Sequence, residues 1–444
     1  MWPCSSIALQ PHGAVIVPFP EVNMFSTVRY CRICGNPNLV EILDLGMQML
    51  TGVFPPEKTT SVTSGPLRLV RCDGAVDKVC GLVQLGESYD LTELYGGNYG
   101  YRSGLNPSMV SHLQAKIDRI CALTSLHAGD LVVDIGSNDG TTLRAYPDIG
   151  LVLAGIDPTG ERFRSFFPEH AHLIPDFFSA GRIKRAFPGK RARVVTSFSM
   201  FYDLERPLDF MREVHDILAD DGIWIFEQSY MPTMLEMNSY DTVCHEHLEY
   251  YALRQVKWMA DRVGFRIVDL EFNEINGGSF SVTVAKNASD LVQHPEVART
   301  LDRELALGLD TPKPYEEFAR RVAGSRRELL DFVDQARREG RTVAALGAST
   351  KGNVLLQFCG LGPTQITAVG EVNPEKFGCY TPGTWIPIVP EAEVLKAEPD
   401  YLLVLPWHFR KFFLKNATFA GRCLLFPLPK IERIRGGNPA TNPS

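Results

Sequence analysis

Residues 131–145 read LVVDIGSNDGTTLRA, an almost unbroken apolar run, a glycine-containing turn and the start of a helical pattern. Short apolar runs bounded by turn residues predict strands buried on both faces, and the change to helical spacing predicts the crossover that follows. The pattern recurs with LVLAGID at 151–157, ARVVTSFS at 192–199, a helix over 207–219 and GIWIFEQS at 222–229, all after a first helix over 107–126. Alternating strands and helices predict an α/β fold with a mostly parallel, doubly wound sheet. The end differs. FRIVDLEFNEINGGSFSVTVAK at 265–286 reads as two strands joined across Asn276, Gly277 and Gly278, so an antiparallel hairpin should close the sheet.

A charged stretch, YEEFARRVAGSRRELLDFVDQARREG, dominates 290–340 and predicts a long surface helix leading out of this domain. At 341 a second alternating segment begins with RTVAALGASTKGNVLLQFCG, and ITAVGEVNP and YLLVLPWHF extend it into a smaller α/β domain ending near 434. Upstream, residues 30–86 hold short apolar pieces, turns and cysteines, too little to bury a core unaided. The first residues carry Pro3, Pro11, Pro18 and Pro20 without helical spacing. The expected organisation is an extended arm at 1–24 (with Met24 an alternative start), a cysteine module at 25–88, a central domain at 89–289, a helical bridge at 290–340, a C-terminal α/β domain at 341–434 and a disordered tail at 435–444.

The 444-residue length suits about three domains. A 45% hydrophobic and 22% charged composition excludes a disordered, collagen-like or coiled-coil chain. With 45 Lys+Arg against 52 Asp+Glu, the net charge of -7 gives no general attraction to nucleic acid or anionic lipid, leaving only room for a local basic patch. No apolar run reaches about 18 residues and the first residues lack the plan of a signal peptide. A cytoplasmic protein without nucleic-acid or membrane partners is expected. The oligomeric state stays open and a monomer is compatible.

Ten cysteines are scattered along the chain, which favours reduced thiols and a metal site over a disulfide frame. Cys31 and Cys34 form a tight knuckle with Gly35 at its turn; Cys72 and Cys80, separated by seven residues, form a loose one. Four thiolates suit a structural tetrahedral zinc, the alternative being that Cys72 or Cys80 is only a buried thiol.

After the strand at 131–135, the loop Asp134, Gly136, Ser137, Asn138, Gly140 lacks the middle glycine of a dinucleotide fingerprint, since Asn138 stands there. This fits the methionine end of S-adenosylmethionine, and Asp157, at the end of the next strand, is placed for its ribose hydroxyls. A glycine turn of any α/β fold is the plainer alternative. Farther on, NSYDTVCHEHLEYY at 238–251 crowds His245, Glu246 and His247 at the carboxyl edge of the sheet, where ligands sit. It is not a zinc-protease motif, because position 249 is Glu. A histidine general base with a neighbouring carboxylate is the more natural reading, against a histidine bonded to backbone.

CRICG, CGLVQL, DIGSNDGTTL, YDTVCHEHLEYY, NGGSF and GASTKGNVLLQ occur in that order, and with them the chain resembles the sugar C-methyltransferase family from about residue 30 to 434. The resemblance implies a class I S-adenosylmethionine methyltransferase domain of Rossmann-like build, flanked by an N-terminal zinc-binding module and a C-terminal Rossmann-like domain. It implies methylation at C-3 of a nucleotide-linked (thymidine or guanosine) 4-keto-6-deoxy sugar held between the last two domains. It places the base on His247 with Glu246 beside it; His245 is a further candidate from the same run. The chain has Cys244 where members carry Tyr, and Tyr202 where some have His. Tyr202 and Glu246 are candidates for stabilising an enolate oxygen. Asp176 and Phe177 are expected to border adenine. Ser349, Lys351 and Asn353 are expected at the pyrophosphate, with Glu371, Asn373, His408 and Cys244 as further substrate contacts. Competing readings are an O- or N-methyltransferase of another metabolite, a zinc-ribbon RNA methyltransferase, and a non-catalytic sugar-nucleotide binding protein.

Overall fold

The computed structural model describes residues 25–75, 78–89 and 102–437; the expected arm at 1–24 and residues 438–444 of the expected tail lie outside them. At its centre is a seven-stranded sheet in the spatial order Phe265–Asn273, Ser279–Lys286, Leu218–Ser229, Ala192–Phe198, Leu131–Ile135, Val152–Ile156, His172–Ile174. Five strands run parallel, and Ser279–Lys286 inserts antiparallel between Leu218–Ser229 and Phe265–Asn273. This is the closing hairpin expected from its two apolar runs, and its turn puts Asn276 and both glycines at positive φ. Every residue of Leu131–Ile135 is buried, as an apolar strand covered by helices on both faces requires. Beside this sheet, Trp224 is fully buried among Phe201, Phe226 and Phe265.

The N-terminal module is an antiparallel sheet of Leu39–Met49, Ser64–Cys72 and Val83–Leu85. Its fourth strand, Glu249–Tyr250, comes from the central domain. The bridge is two helices, Pro295–Ala306 and Lys313–Arg338. The second is more than a surface helix: Tyr315, Phe318, Val322, Leu329 and Val333 recur at helical spacing and bury one face. The C-terminal sheet has the order Ile388–Pro390, Val369–Glu371, Val343–Leu346, Tyr401–Val404, Cys423–Phe426, Glu432–Arg435, parallel except for the last strand. That strand carries Arg435, and Gly436 and Gly437 are tied back by hydrogen bonds to Arg422 and Leu414, so the ordered chain passes the expected boundary at 434.

The outer domains also meet each other. Gln357 accepts from the Met49 amide at 2.8 Å and donates to its carbonyl at 3.1 Å, as a strand neighbour would. Asn353 donates to the Thr51 carbonyl at 2.7 Å. Asn353 is fully buried there, its Nδ2 joining two domains while its Oδ1 has no partner. Asn353→Ala should leave a buried carbonyl unpaired and cost about 1–3 kcal/mol; an unchanged urea midpoint would contradict this.

Candidate active site

The four cysteines converge. Their sulfurs all lie within 4.8 Å of one another, with Cys31–Cys80 and Cys34–Cys72 each at 3.4 Å. Zinc–sulfur bonds of about 2.3 Å in a tetrahedron need sulfurs roughly 3.8 Å apart, so the set closes on one ion. Gly35, at φ 71°, turns its amide back to the Cys31 carbonyl at 2.9 Å. The loose knuckle works because Cys72 ends one strand and Cys80 leads into its antiparallel neighbour, so the seven-residue spacer only spans a hairpin. Asn36 donates to the Cys72 sulfur at 3.3 Å.

At the carboxyl edge of the central sheet a cavity of about 290 Å³ is lined by Asp134, Gly136, Ser137, Asn138, Asp157 and Phe177. A side chain at Gly136 would meet Met200 at 3.1 Å, so the loop stays open only with glycine there. Gly140 is not in the lining; at φ 72° it starts the helix Thr141–Arg144 against Phe167. Asp134 accepts from the Thr196 hydroxyl at 2.5 Å, but its second oxygen and the Ser137 hydroxyl are buried without partners. Burial pushes the Asp134 carboxyl up to about 7. Such orphaned oxygens fit a cationic, hydrogen-bonding ligand like the amino-acid end of adenosylmethionine. Asp157 accepts from the Asn138 amide at 2.8 Å and from the Thr159 amide and hydroxyl at 2.7 and 2.6 Å. A carboxylate with about four lone-pair positions retains capacity for a ribose hydroxyl. Asp176 is not among the lining residues; it is paired with Arg182 at 2.6 Å, while Phe177 and Phe178 both line the cavity. Met200, Asp203 and Leu204, which the sequence reading missed, also line the cavity. They follow the strand Ala192–Phe198, and the carboxyl-edge rule could have found them.

The run 238–251 is stitched on both sides. The Leu85 amide donates to the Leu248 carbonyl at 2.8 Å, while the Leu248 amide donates to the Tyr202 carbonyl at 2.9 Å. His247 Nδ1 lies 2.9 Å from the Thr242 carbonyl; a carbonyl only accepts, so Nδ1 carries the proton and Nε2 keeps its lone pair. The Tyr202 ring meets the His247 ring edge-on at 4.6 Å. Asp203, the next residue, lines the cofactor cavity, so one turn, Phe201–Asp203, separates that cavity from His247. Burial, with a smaller push from Lys351, lowers His247 to about 4. Glu246 sits where three domains meet: a side chain at Gly52 would come within 2.5 Å of its Oε1 and 3.7 Å of the Thr350 hydroxyl. Its other oxygen has no partner, and burial raises its pKa. Cys244 is buried beside it.

His245 is a correction. A turn at 244–247 sends it into the N-terminal sheet, edge-on to Tyr89 at 4.7 Å and facing the backbone of Gly65 and Gln48, away from His247. The C-terminal candidates divide as well. Ser349 caps its helix by accepting from the Gly352 amide at 3.1 Å. Lys351 donates to the Asn276 carbonyl at 2.6 Å, so its charge points into the domain junction rather than along the helix start. His408 approaches the same hairpin at Gly277, and burial, followed by the Lys351 charge, lowers it to about 3. Glu371 accepts from the Ala348, Val372 and Asn373 amides at 2.8–2.9 Å, and Asn373 caps the turn Pro374–Lys376; these carboxylate and amide groups hold loops.

Family models match in the same order as these domains: "Putative zinc binding domain" over residues 31–95, "Methyltransferase domain" over 109–270 and "C-methyltransferase C-terminal domain" over 274–429. The C-methyltransferase NovU of Streptomyces niveus is 29% identical over 415 residues, covering 91% of this chain and 96% of the relative. The chain is an S-adenosylmethionine-dependent methyltransferase that carries a C-methyltransferase C-terminal domain. Among solved structures, the Haloferax volcanii complex of the Trm112 methyltransferase activator with a methyltransferase is similar at 15% identity, over 40% of this chain and 95% of that one, with a TM-score of 0.32. The LepI complex with SAM is similar at 12% identity, over 41% of this chain and 54% of that one, also at 0.32.

Three outcomes are expected of this methyltransferase. Elemental analysis should find one zinc per chain, and stripping it should expose the Val83–Leu85 amides to hydrogen exchange; protection that survives metal loss would contradict the dependence. Asp134→Asn should weaken adenosylmethionine binding about tenfold or more if its free oxygen meets the ligand's cation, and equal affinity by calorimetry would remove it from that role. His245, His247 and His408 all have folded values below the ordinary 6.5. The unfolded chain then binds more protons between 6.5 and about 4, so stability is full above 6.5 and falls as pH drops through that window. His408→Gln should flatten this fall in a melting series, and an unchanged slope would count against it.

Proposed function

We propose that the methyltransferase acts on a carbon acid, C-3 of a nucleotide-linked 4-keto-6-deoxy sugar. The observation that carries this is the fixed tautomer of His247, with Nδ1 committed to the Thr242 carbonyl and Nε2 left as a neutral base one turn from the cofactor cavity. A carbon beside a ketone is acidic enough for a positioned imidazole to deprotonate it. Adenosylmethionine, when bound, supplies the electrophilic sulfonium methyl.

His247 Nε2 takes the C-3 proton, and the C–H electrons become the enolate of the substrate. With adenosylmethionine held in the cavity, that enolate carbon would be the nucleophile for its sulfonium methyl, the sulfur keeping the electron pair of the bond given up. Glu246, whose raised pKa favours the protonated acid, donates to the developing enolate oxygen. Tyr202 holds the imidazole edge. Asp134, Gly136, Ser137, Asn138 and Asp157 hold the cofactor.

The test is turnover of thymidine- and guanosine-linked 4-keto-6-deoxy sugars, with the product methyl located by NMR. A C-3 methyl is expected. Loss of general-base catalysis is worth about 10²–10⁴-fold, so His247→Ala should lower turnover at least 100-fold while adenosylmethionine affinity stays within a few-fold. A methyl on oxygen or nitrogen would replace this reading with the O- or N-methyltransferase one.

A further inference from the structure

A second cavity, about 940 Å³, opens at the other edge of the C-terminal sheet. Its lining comes from the amino ends of parallel strands: Arg341 precedes Val343–Leu346, Asp400 precedes Tyr401–Val404, and Arg422 precedes Cys423–Phe426. Ser349, Lys351 and His408 follow strand carboxyl ends, so the two regions are separated by a strand length, roughly 13 Å for four residues. Arg433 and Arg435 alternate on the antiparallel edge strand, which puts both side chains on one face.

Four guanidiniums therefore share one concavity in a chain of net charge -7. Arg341 is paired with Glu339 at 3.3 Å and donates to the Tyr401 hydroxyl at 3.3 Å. Among the described residues, no carboxylate pairs with Arg422, Arg433 or Arg435. Two acids also line it, Glu398 and Asp400, and Asp400 is occupied by the Thr342 amide and hydroxyl at 2.8 and 3.1 Å. The half-buried Cys423 thiol registers the convergence: burial pushes its pKa up, while Arg433, Arg435 and Arg341 pull it down. Charges that protect a sheet edge from pairing would account for Arg433 and Arg435. They do not account for Arg341 and Arg422, which approach the same space from two other connections.

We propose that this concavity is an anion site, distinct from the catalytic junction, that binds a small ligand with adjacent phosphate groups. Planar guanidinium forks suit phosphate oxygens, and several unneutralised forks suit the closely spaced charges of a diphosphate.

The test titrates the full-length protein with inorganic pyrophosphate at low salt by calorimetry. In parallel, Cys423 is labelled with an anionic thiol reagent and the modified sites are read by mass spectrometry, with exposed Cys121 as the internal reference. Pyrophosphate should slow Cys423 labelling selectively. Arg433→Glu/Arg435→Glu should weaken binding at least tenfold without changing adenosylmethionine affinity, and the milder Arg433→Gln/Arg435→Gln should give an intermediate loss. A nucleoside diphosphate run alongside separates sources: affinity that falls equally in the variant means the diphosphate alone is recognised. Absence of pyrophosphate binding, unprotected Cys423, or equal affinity in both variants would overturn the proposal.

Discussion

Two residues of strand, Glu249–Tyr250, hold the run of the proposed base in place. They belong to the central domain yet complete the sheet of the zinc module, pairing with Gln84 and Val83. One residue earlier, Leu248 is bonded on one side to Leu85 and on the other to Tyr202. His247 therefore has its position set by two domains at once. The zinc stands behind this contact rather than in the chemistry: its closed thiolate shell has no open position, and Gln255 of the following helix donates to the Cys80 and Gly81 carbonyls at 3.1 and 2.9 Å. A small module unable to bury a core alone is stabilised by its metal and in turn clamps the run that carries the proposed base.

The C-terminal domain completes the enclosure by the same economy. Trp407 donates to Asp241 at 2.8 Å, Lys351 reaches the hairpin carbonyl of Asn276, and Asn353 and Gln357 grip the N-terminal strand. Desolvation is the largest cause acting on His247, Glu246 and Asp241. It keeps the imidazole neutral and favours the acid form of the carboxyls, which is the protonation pattern that proton removal from carbon requires. A protonated imidazole would have no lone pair with which to take the proton.

Much of this was legible beforehand, for identifiable reasons. The hairpin at 265–286 announced the inserted antiparallel strand because its apolar runs and Asn-Gly-Gly turn are local signals. The four cysteines were legible despite their uneven spacing, since a hairpin absorbs a long spacer. What the sequence leaves open lies where tertiary docking decides. Lys351 and Asn353 follow a strand–turn start that looks like an anion site, and nothing local tells that the helix lies against Asn276 and Thr51. His245 and His247 share a face in an extended strand, but the turn at 244–247 breaks the alternation and sends them to different domains. Asp176 sits next to the cavity-lining Phe177 and is claimed by Arg182, six residues on.

The most direct measurement is hydrogen exchange at the reacting carbon without methyl transfer. The protein is held with S-adenosylhomocysteine and a nucleotide-linked 4-keto-6-deoxy sugar in heavy water, and deuterium at C-3 is followed by NMR. The account predicts washing-in at C-3 that disappears with His247→Ala and persists, more slowly, with Glu246→Gln. Exchange that is indifferent to His247, with methylation intact, would contradict the assignment of the base and the role given to the clamped run.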